Sequence, residues 1–401
     1  MKFKILTGLL TGLVVSASIS ALFCQPSRAL LFSLKRVSDA DATLKKLPKV
    51  DLTVVEFTSN QTYSVAKIGN SDLAAGREAE DFLIQGEEKH KKGDYQGAVA
   101  AYNQAIALNP NLAGAYNNRG LARFYLGDKH GAVADFNEAL RINPNLAEAY
   151  NNRGAARRDL GDKQGAVADY NEALRINPND ALAYSNRGVA RRELGDKQGA
   201  IADYNEALRI NPNLALAYNN RGNARRDLGD KQGAVADYNE ALRINPNDAL
   251  AYNNRGLAHY DLGDKQGALA DFNEALRINP NLAEAYYNRG LAHYDLGDKQ
   301  DAVADFNEAL RINPNLAEAY YNRGVVRSGL GDKQGAVADY NEALRINPNL
   351  ALAYYNRGNA RRELGDKQGA IQDLQKAADL FQQQGDKDNY ERAINTLRKL
   401  Q

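Results

Sequence analysis

Eight of the ten prolines recur at a single interval. Pro110, Pro144, Pro178, Pro212, Pro246, Pro280, Pro314 and Pro348 lie 34 residues apart. A fixed period of this size signals a stacked array of small supersecondary units, and it has to be recognised before any argument about domains. With each proline taken as the thirty-second residue, nine units begin at Ala79, Ala113, Ala147, Ala181, Ala215, Ala249, Ala283, Ala317 and Ala351. The ninth has lost its proline. The array runs from 79 to 384.

The third unit, 147–180, shows what each one folds into. Tyr150, Gly154 and Arg157 recur at helical spacing, and so do Ala166, Tyr170 and Ala173 further on. Gly161 and Asp162 separate the two runs. Glycine is the usual left-handed residue that ends a helix, and aspartate is a good N-cap for the next one. Pro178 stops the second run, because the residue before a proline avoids helical geometry. Each unit is therefore expected to be two antiparallel helices and a tight turn.

A glycine stands at the eighth place of all nine units, from Gly86 to Gly358. It falls in the middle of a helix, where it costs roughly 0.5–1 kcal/mol relative to alanine. Nine such costs are offset only if a side chain there would block close helix contact. One helix pair cannot bury its own apolar face, so the units must stack into a solenoid.

Composition narrows the function classes. Lys and Arg total 51 and Asp and Glu 50, so no global field draws in nucleic acid or an anionic membrane. Cys24 is the one cysteine, which excludes a disulfide framework or a cysteine-built zinc site. No glycine-rich phosphate loop or Ser/His/Asp set lies outside the repeat frame. We expect no enzyme and no cofactor.

The recurring Tyr, Gly, Ala, Tyr or Phe, Ala and Pro, carried in the third unit by Tyr150, Gly154, Ala166, Tyr170, Ala173 and Pro178, resemble the tetratricopeptide repeat. The Asn-Arg-Gly variant, as in Asn152-Arg153-Gly154, is similar to repeats common in bacterial and especially cyanobacterial members. The resemblance implies an all-α, right-handed α-solenoid of helix-turn-helix repeats with a concave groove that holds other proteins, and no chemistry of its own. A setting in the assembly or maintenance of an envelope or photosynthetic complex is implied by resemblance alone. The carboxylate-clamp subclass wants Lys at the fifth place, and no unit has it.

One pair can be argued from the residues directly. Units two to nine carry Arg at the seventh place and Asp at the twenty-third, among them Arg153 with Asp169 and Arg221 with Asp237. The first unit lacks both, having Gln85 and Ala101. Their joint loss predicts an ion pair between the two helices of one unit. Since a buried charge left alone costs about 3–5 kcal/mol, Arg221→Ala is expected to destabilise more than Arg221→Ala combined with Asp237→Ala.

By resemblance, the second, fifth, ninth, twelfth and thirteenth places face the groove, and variation there locates a partner. At the fifth place asparagine and serine give way to Tyr287, Tyr321 and Tyr355; at the twelfth, Arg158, Arg192 and Arg226 give way to Tyr260 and Tyr294; at the second, Leu182, Leu216 and Leu250 form a strip. Tyr and Arg are enriched in binding hot spots, so these residues are the candidate contacts for a protein or peptide segment. The competing expectation is that they pack against adjacent repeats.

Two other functions are weighed. A metal-binding assembly factor for manganese or zinc would use His259, Asp261, His293 and Asp295 of units six and seven. An RNA-binding array would use the Arg pairs at 157–158, 191–192, 225–226 and 361–362, against the near-neutral charge of the chain.

The ends depart from the period. Residues 385–401 place Tyr390, Ala393, Ile394, Leu397 and Leu400 on one stripe, as a capping helix would. Residues 30–78 read as a poorly ordered spacer with a short strand near 52–57. Residues 1–29 read as an export leader: Lys2 and Lys4, an uncharged stretch over 5–23, and Ser27-Arg28-Ala29 before a cleavage point. This predicts a periplasmic location. The alternatives are a thylakoid lumen or an uncleaved anchor at 5–23. No other membrane contact and no nucleic acid is expected.

Overall fold

The computed structural model describes residues 2–6, 16–20, 29–37, 49–57 and 70–400. Strand β1 (Lys2–Leu6) pairs antiparallel with β2 (Ser16–Ser20), and β3 (Ala29–Val37) pairs with β4 (Lys49–Phe57), which contains the stretch expected to be extended. Ala29, after which cleavage is expected, opens β3, while Ser27, Arg28 and much of the leader lie outside the described residues. Among the described helices none is long and apolar enough to cross a membrane.

Helices make up the rest. Repeat one is α1 (Asn70–Lys91) and α2 (Tyr95–Leu108); repeat two is α3 (Ala113–Tyr125) and α4 (Lys129–Ile142); repeat three is α5 (Ala147–Asp159) and α6 (Lys163–Ile176). Repeats four and five are α7 (Ala181–Glu193), α8 (Lys197–Ile210), α9 (Ala215–Asp227) and α10 (Lys231–Ile244). Repeats six and seven are α11 (Ala249–Asp261), α12 (Lys265–Ile278), α13 (Ala283–Leu296) and α14 (Lys299–Ile312). Repeats eight and nine are α15 (Ala317–Gly329), α16 (Lys333–Ile346), α17 (Ala351–Glu363) and α18 (Lys367–Gln383), followed by α19 (Lys387–Arg398).

Two of these elements are longer than their counterparts for one reason. No Asn-Pro loop precedes repeat one, so α1 starts nine residues before Ala79. No proline closes repeat nine, so α18 runs for 17 residues where the second helices of repeats two to eight have 14. Proline's ring and missing N–H end the other helices.

The turn chemistry is local and repeated. Gly161 adopts φ +92°, a conformation that costs an ordinary residue about 1–2 kcal/mol. Asp162 then caps α6 by accepting from the Gly165 N–H at 2.9 Å. A Cβ on Gly165 would collide with that carboxylate. Repeat seven has Asp301 at the equivalent place, and there the side chain of Asp298 makes no capping bond.

The helices form two compact bodies, divided after Pro246. In the first, α1 to α10, each hairpin packs on the next, and the first helices α1, α3, α5, α7 and α9 touch in series. In the second, α11 to α18 repeat this arrangement, with α19 packed on α18. Each body is an α-solenoid. Direct contact between successive first helices makes theirs the compressed, inner side, as solenoid curvature requires.

The mid-helix glycines allow the hairpins to close. A Cβ on Gly154 would lie 2.8 Å from Cε1 of the buried Tyr170 ring, and one on Gly188 would lie 2.7 Å from Tyr204. The ring at the twenty-fourth place packs on bare helix backbone, as the glycine argument predicts.

Candidate functional site

The seventh-place arginines are wholly engaged in structure. Arg153 donates from Nε and Nη2 to both oxygens of Asp169, at 3.0 and 2.6 Å, and from Nη1 to Asn137 at 2.8 Å. Its guanidinium lies 5.3 Å from the centre of the Tyr150 ring. Arg221 repeats this with Asp237, Asn205 and Tyr218. A second cation reaches the same carboxylate, Arg157 for Asp169 and Arg225 for Asp237. The sequence reading named one arginine per aspartate and missed the second, although its spacing of four residues along the helix was visible.

Histidine replaces that second arginine in repeats six and seven. His259 has Nδ1 3.1 Å from Asp264 and Nε2 3.8 Å from Asp271; His293 stands similarly to Asp298 and Asp305. These histidines therefore occupy a structural cation's place. Asp295 accepts from the Tyr260 hydroxyl at 2.7 Å. Among the described residues no group of three or more His, Cys, Asp or Glu side chains is placed to hold a metal ion. The first arginine of each pair weighed for RNA is neutralised locally: Arg157, Arg191, Arg225 and Arg361 each face an aspartate of their own repeat.

The expected aromatic column is corrected by burial. Tyr287 is only 4% exposed and Tyr321 only 8%. Their rings pack on Phe306 and Tyr340, and their hydroxyls accept from Asn322 at 2.8 Å and Asn356 at 3.0 Å in the next repeat. In repeats two, three and six an asparagine at the same place does this: Asn117, Asn151 and Asn253 accept from Asn152, Asn186 and Asn288. Tyrosine replaces asparagine as a rung between repeats. Tyr355 lies partly buried against Phe381 and the cap helix.

The twelfth-place arginines are corrected likewise. Arg158, Arg192 and Arg226 are buried. Arg158 pairs with Asp159 at 3.0 Å, and Arg192 reaches Asp227 of the next repeat at 2.8 Å. Leu182 is buried among Ala207, Leu208 and Leu214, while Leu216, Leu250 and Tyr294 are half-buried. The expected contacts are mostly spent on joining one repeat to the next.

The polar atoms that joining leaves without a partner gather mostly in the interior of repeats three to five, with Asn288 Oδ1 and His293 Nδ1 in repeat seven. On α5 the Glu148 Oε1, Asn151 Nδ2, Asn152 Oδ1 and Arg158 Nη1 atoms are buried without a hydrogen-bond partner. Both polar atoms of the Asn220 amide and Nδ2 of Asn223 are in the same state on α9. Beneath them, the Tyr170 and Tyr204 hydroxyls have no partner, because the ninth place facing them is Ala155 or Val189. In repeat five that place is Asn223, which accepts from the Tyr238 hydroxyl at 2.7 Å. Each buried unpaired polar group costs about 1–3 kcal/mol, so native structures rarely keep several together. Burial, partly offset by a hydrogen bond from Asn117 and reinforced by the charges of Asp180 and Glu87, pushes the Glu148 carboxyl up to about 8.

Family models account for nearly the whole array. A TPR repeat model matches residues 86–127, 120–161, 154–195, 222–263 and 259–297. Tetratricopeptide repeat models match 181–214, 283–316, 317–350 and 339–372. The crystal structure of a tetratricopeptide repeat protein from Parabacteroides merdae is similar at TM-score 0.51 and 21% identity, over 63% of this chain and 99% of that one. The Cut9–Hcn1 hetero-tetramer of the APC/C is similar at TM-score 0.53 and 15% identity, over 80% of this chain and 76% of that one. YrrB, described as a TPR protein with an unusual peptide-binding site, matches 46% of this chain and 95% of its own at 25% identity and TM-score 0.38. No curated protein gives a match. By its repeats and its helix packing, this chain belongs to the tetratricopeptide repeat family.

Proposed function

We propose that the chain is a non-enzymatic scaffold that binds an extended segment of another protein along the inner face of repeats three to five. The observation that carries this is the row of buried, unpartnered polar atoms on α5. Glu148, Asn151, Asn152 and Arg158 share one helix face. In order they offer an acceptor, a donor, an acceptor and a donor. The row is about 15 Å long at 1.5 Å per residue, the span of about five extended residues at roughly 3.3 Å each. A peptide backbone presents alternating C=O and N–H groups to such a row. Binding would relieve the cost of leaving these atoms unpaired. The leader-like residues 1–29 support a periplasmic or lumenal site of action, and an assembly role there is part of the same proposal.

The test is a pair of substitutions already used by other repeats. Phe136, Phe272 and Phe306 stand where repeats three and four have Tyr170 and Tyr204. Tyr170→Phe with Tyr204→Phe removes two orphaned hydroxyls and keeps the packing. The urea midpoint should hold or rise, while affinity for arrayed linear peptides should fall about tenfold. Unchanged peptide binding would remove the inner face as the site.

A further inference from the structure

The inner face is not electrically neutral at its start. Glu148 opens α5 at a place where repeats four to six carry Leu182, Leu216 and Leu250. The fold accepts either leucine or an acid there, since repeats seven and eight carry Glu284 and Glu318, and what sets Glu148 apart is the state of its own carboxyl. Its Oε1 is buried and unpartnered. The two charged groups acting on it, Asp180 at the N-cap of α7 and Glu87 on α1, are both acidic. Glu87 borders a small cavity of about 20 Å³ with His90, Tyr102 and Leu121, room for roughly one water. Two further carboxyls, one from repeat one and one from the end of repeat three, thus bear on Glu148, and no cation is among the groups that act on it.

We infer that Glu148 is the socket for a basic side chain, the lysine or arginine of the extended peptide that this face binds. The inference rests on the proposed function and adds the chemistry of the partner. A lone buried carboxyl avoids the cost of charge by staying protonated. A guanidinium or ammonium brought beside it supplies the missing counter-charge, and the carboxyl ionises. The proton leaves to solvent, and an ion pair with charge-assisted hydrogen bonds takes its place. The acids behind it, Glu87 and Asp180, favour a cation over a neutral group at the same point.

The experiment uses the full chain and arrayed short alanine-serine peptides, each carrying one Lys, Arg, Gln or Glu. Lys and Arg peptides should bind about tenfold or more tightly than their Gln counterparts. Glu148→Gln, and Glu148→Leu as in the neighbouring repeats, should erase that preference while circular dichroism stays unchanged. Calorimetry of the best basic peptide at pH 7, in phosphate and in Tris, should report release of close to one proton per peptide, absent in Glu148→Gln. Peptides that bind without regard to Lys or Arg, or a preference that survives Glu148→Gln, would overturn the socket and leave the groove standing. Failure of every peptide to bind would overturn both.

Discussion

Removing Asp237 should cost more than removing Arg221, and this order separates the network seen in the structure from a simple pair. The side chain of Asp237 is 3% exposed. Arg221 reaches it from Nη2 at 2.5 Å and from Nε at 3.0 Å, and Arg225 reaches it at 3.0 Å. Asp237→Ala leaves two guanidiniums facing each other at a half-buried site, the case in which a broken pair costs about 3–5 kcal/mol. Arg221→Ala leaves the carboxylate with Arg225. It loses one charged hydrogen-bonding contact at about 1.5–3 kcal/mol and a stacking contact on Tyr218 at about 0.5–1 kcal/mol. The double substitution leaves Arg225 alone, but Arg225 is 27% exposed and already 3.8 Å from Asp230. The double should therefore cost less than the sum by about 1–3 kcal/mol, without falling below Arg221→Ala as the sequence alone suggested. Urea unfolding followed by circular dichroism gives the three energies, and hydrogen exchange in α9 and α10 shows whether the loss is local. Additivity within about 0.5 kcal/mol, or a larger loss for Arg221→Ala than for Asp237→Ala, would refute the network.

Three further outcomes follow from the same packing. Gly154→Ala forces a Cβ to 2.8 Å from the Tyr170 ring, so its melting midpoint should drop by the equivalent of about 1–3 kcal/mol, against the usual gain of alanine in a helix. Burial holds the His90 imidazole down at about 4, below its free value of 6.5, so the folded state keeps it neutral. Stability from this group is full above pH 6.5 and is lost as pH falls toward 4; the gap between wild type and His90→Phe should move against wild type by about 3 kcal/mol across that window, and a constant gap would exclude the histidine. Glu148 works in the opposite direction: with its carboxyl raised to about 8, stability is full below pH 4.5 and is lost as pH rises to 8. Glu148→Gln should therefore gain on wild type by an amount approaching about 4 kcal/mol at pH 8 and nothing at pH 4.5, and equal pH profiles would remove the buried acid from the account.

The repeats were legible because their signals are local. Pro178, Gly161, Asp162 and Gly154 each act within one hairpin, through a forbidden helix, a left-handed turn, a cap and a close approach, and each can be read from its own neighbours. The extra length of α1 and α18 follows from the same logic, since it is the absence of proline that lengthens them. The site was less legible because it depends on partners one period away. Tyr287 reads as a candidate contact until Asn322 is found 35 residues on, and Arg192 reads as another until Asp227 is found at the same offset. A sequence displays what varies, but which polar atom is satisfied is settled between repeats.

Variation within so uniform an array then has two kinds of cause, and hydrogen-bond satisfaction distinguishes them. Where repeats two, six and seven have phenylalanine at the twenty-fourth place, they have leucine at the ninth; where repeat five has Tyr238, it has Asn223 to receive the hydroxyl. These are matched changes that leave no ring hydroxyl unpaired at the twenty-fourth place, and packing explains them. Repeats three and four keep Tyr170 and Tyr204 opposite Ala155 and Val189, and repeat three has an unpartnered Glu148 where repeats four to six have leucine. These changes are unmatched within the chain and lower its stability. Under the proposed function, the complement of these unmatched groups is the extended segment of a second protein.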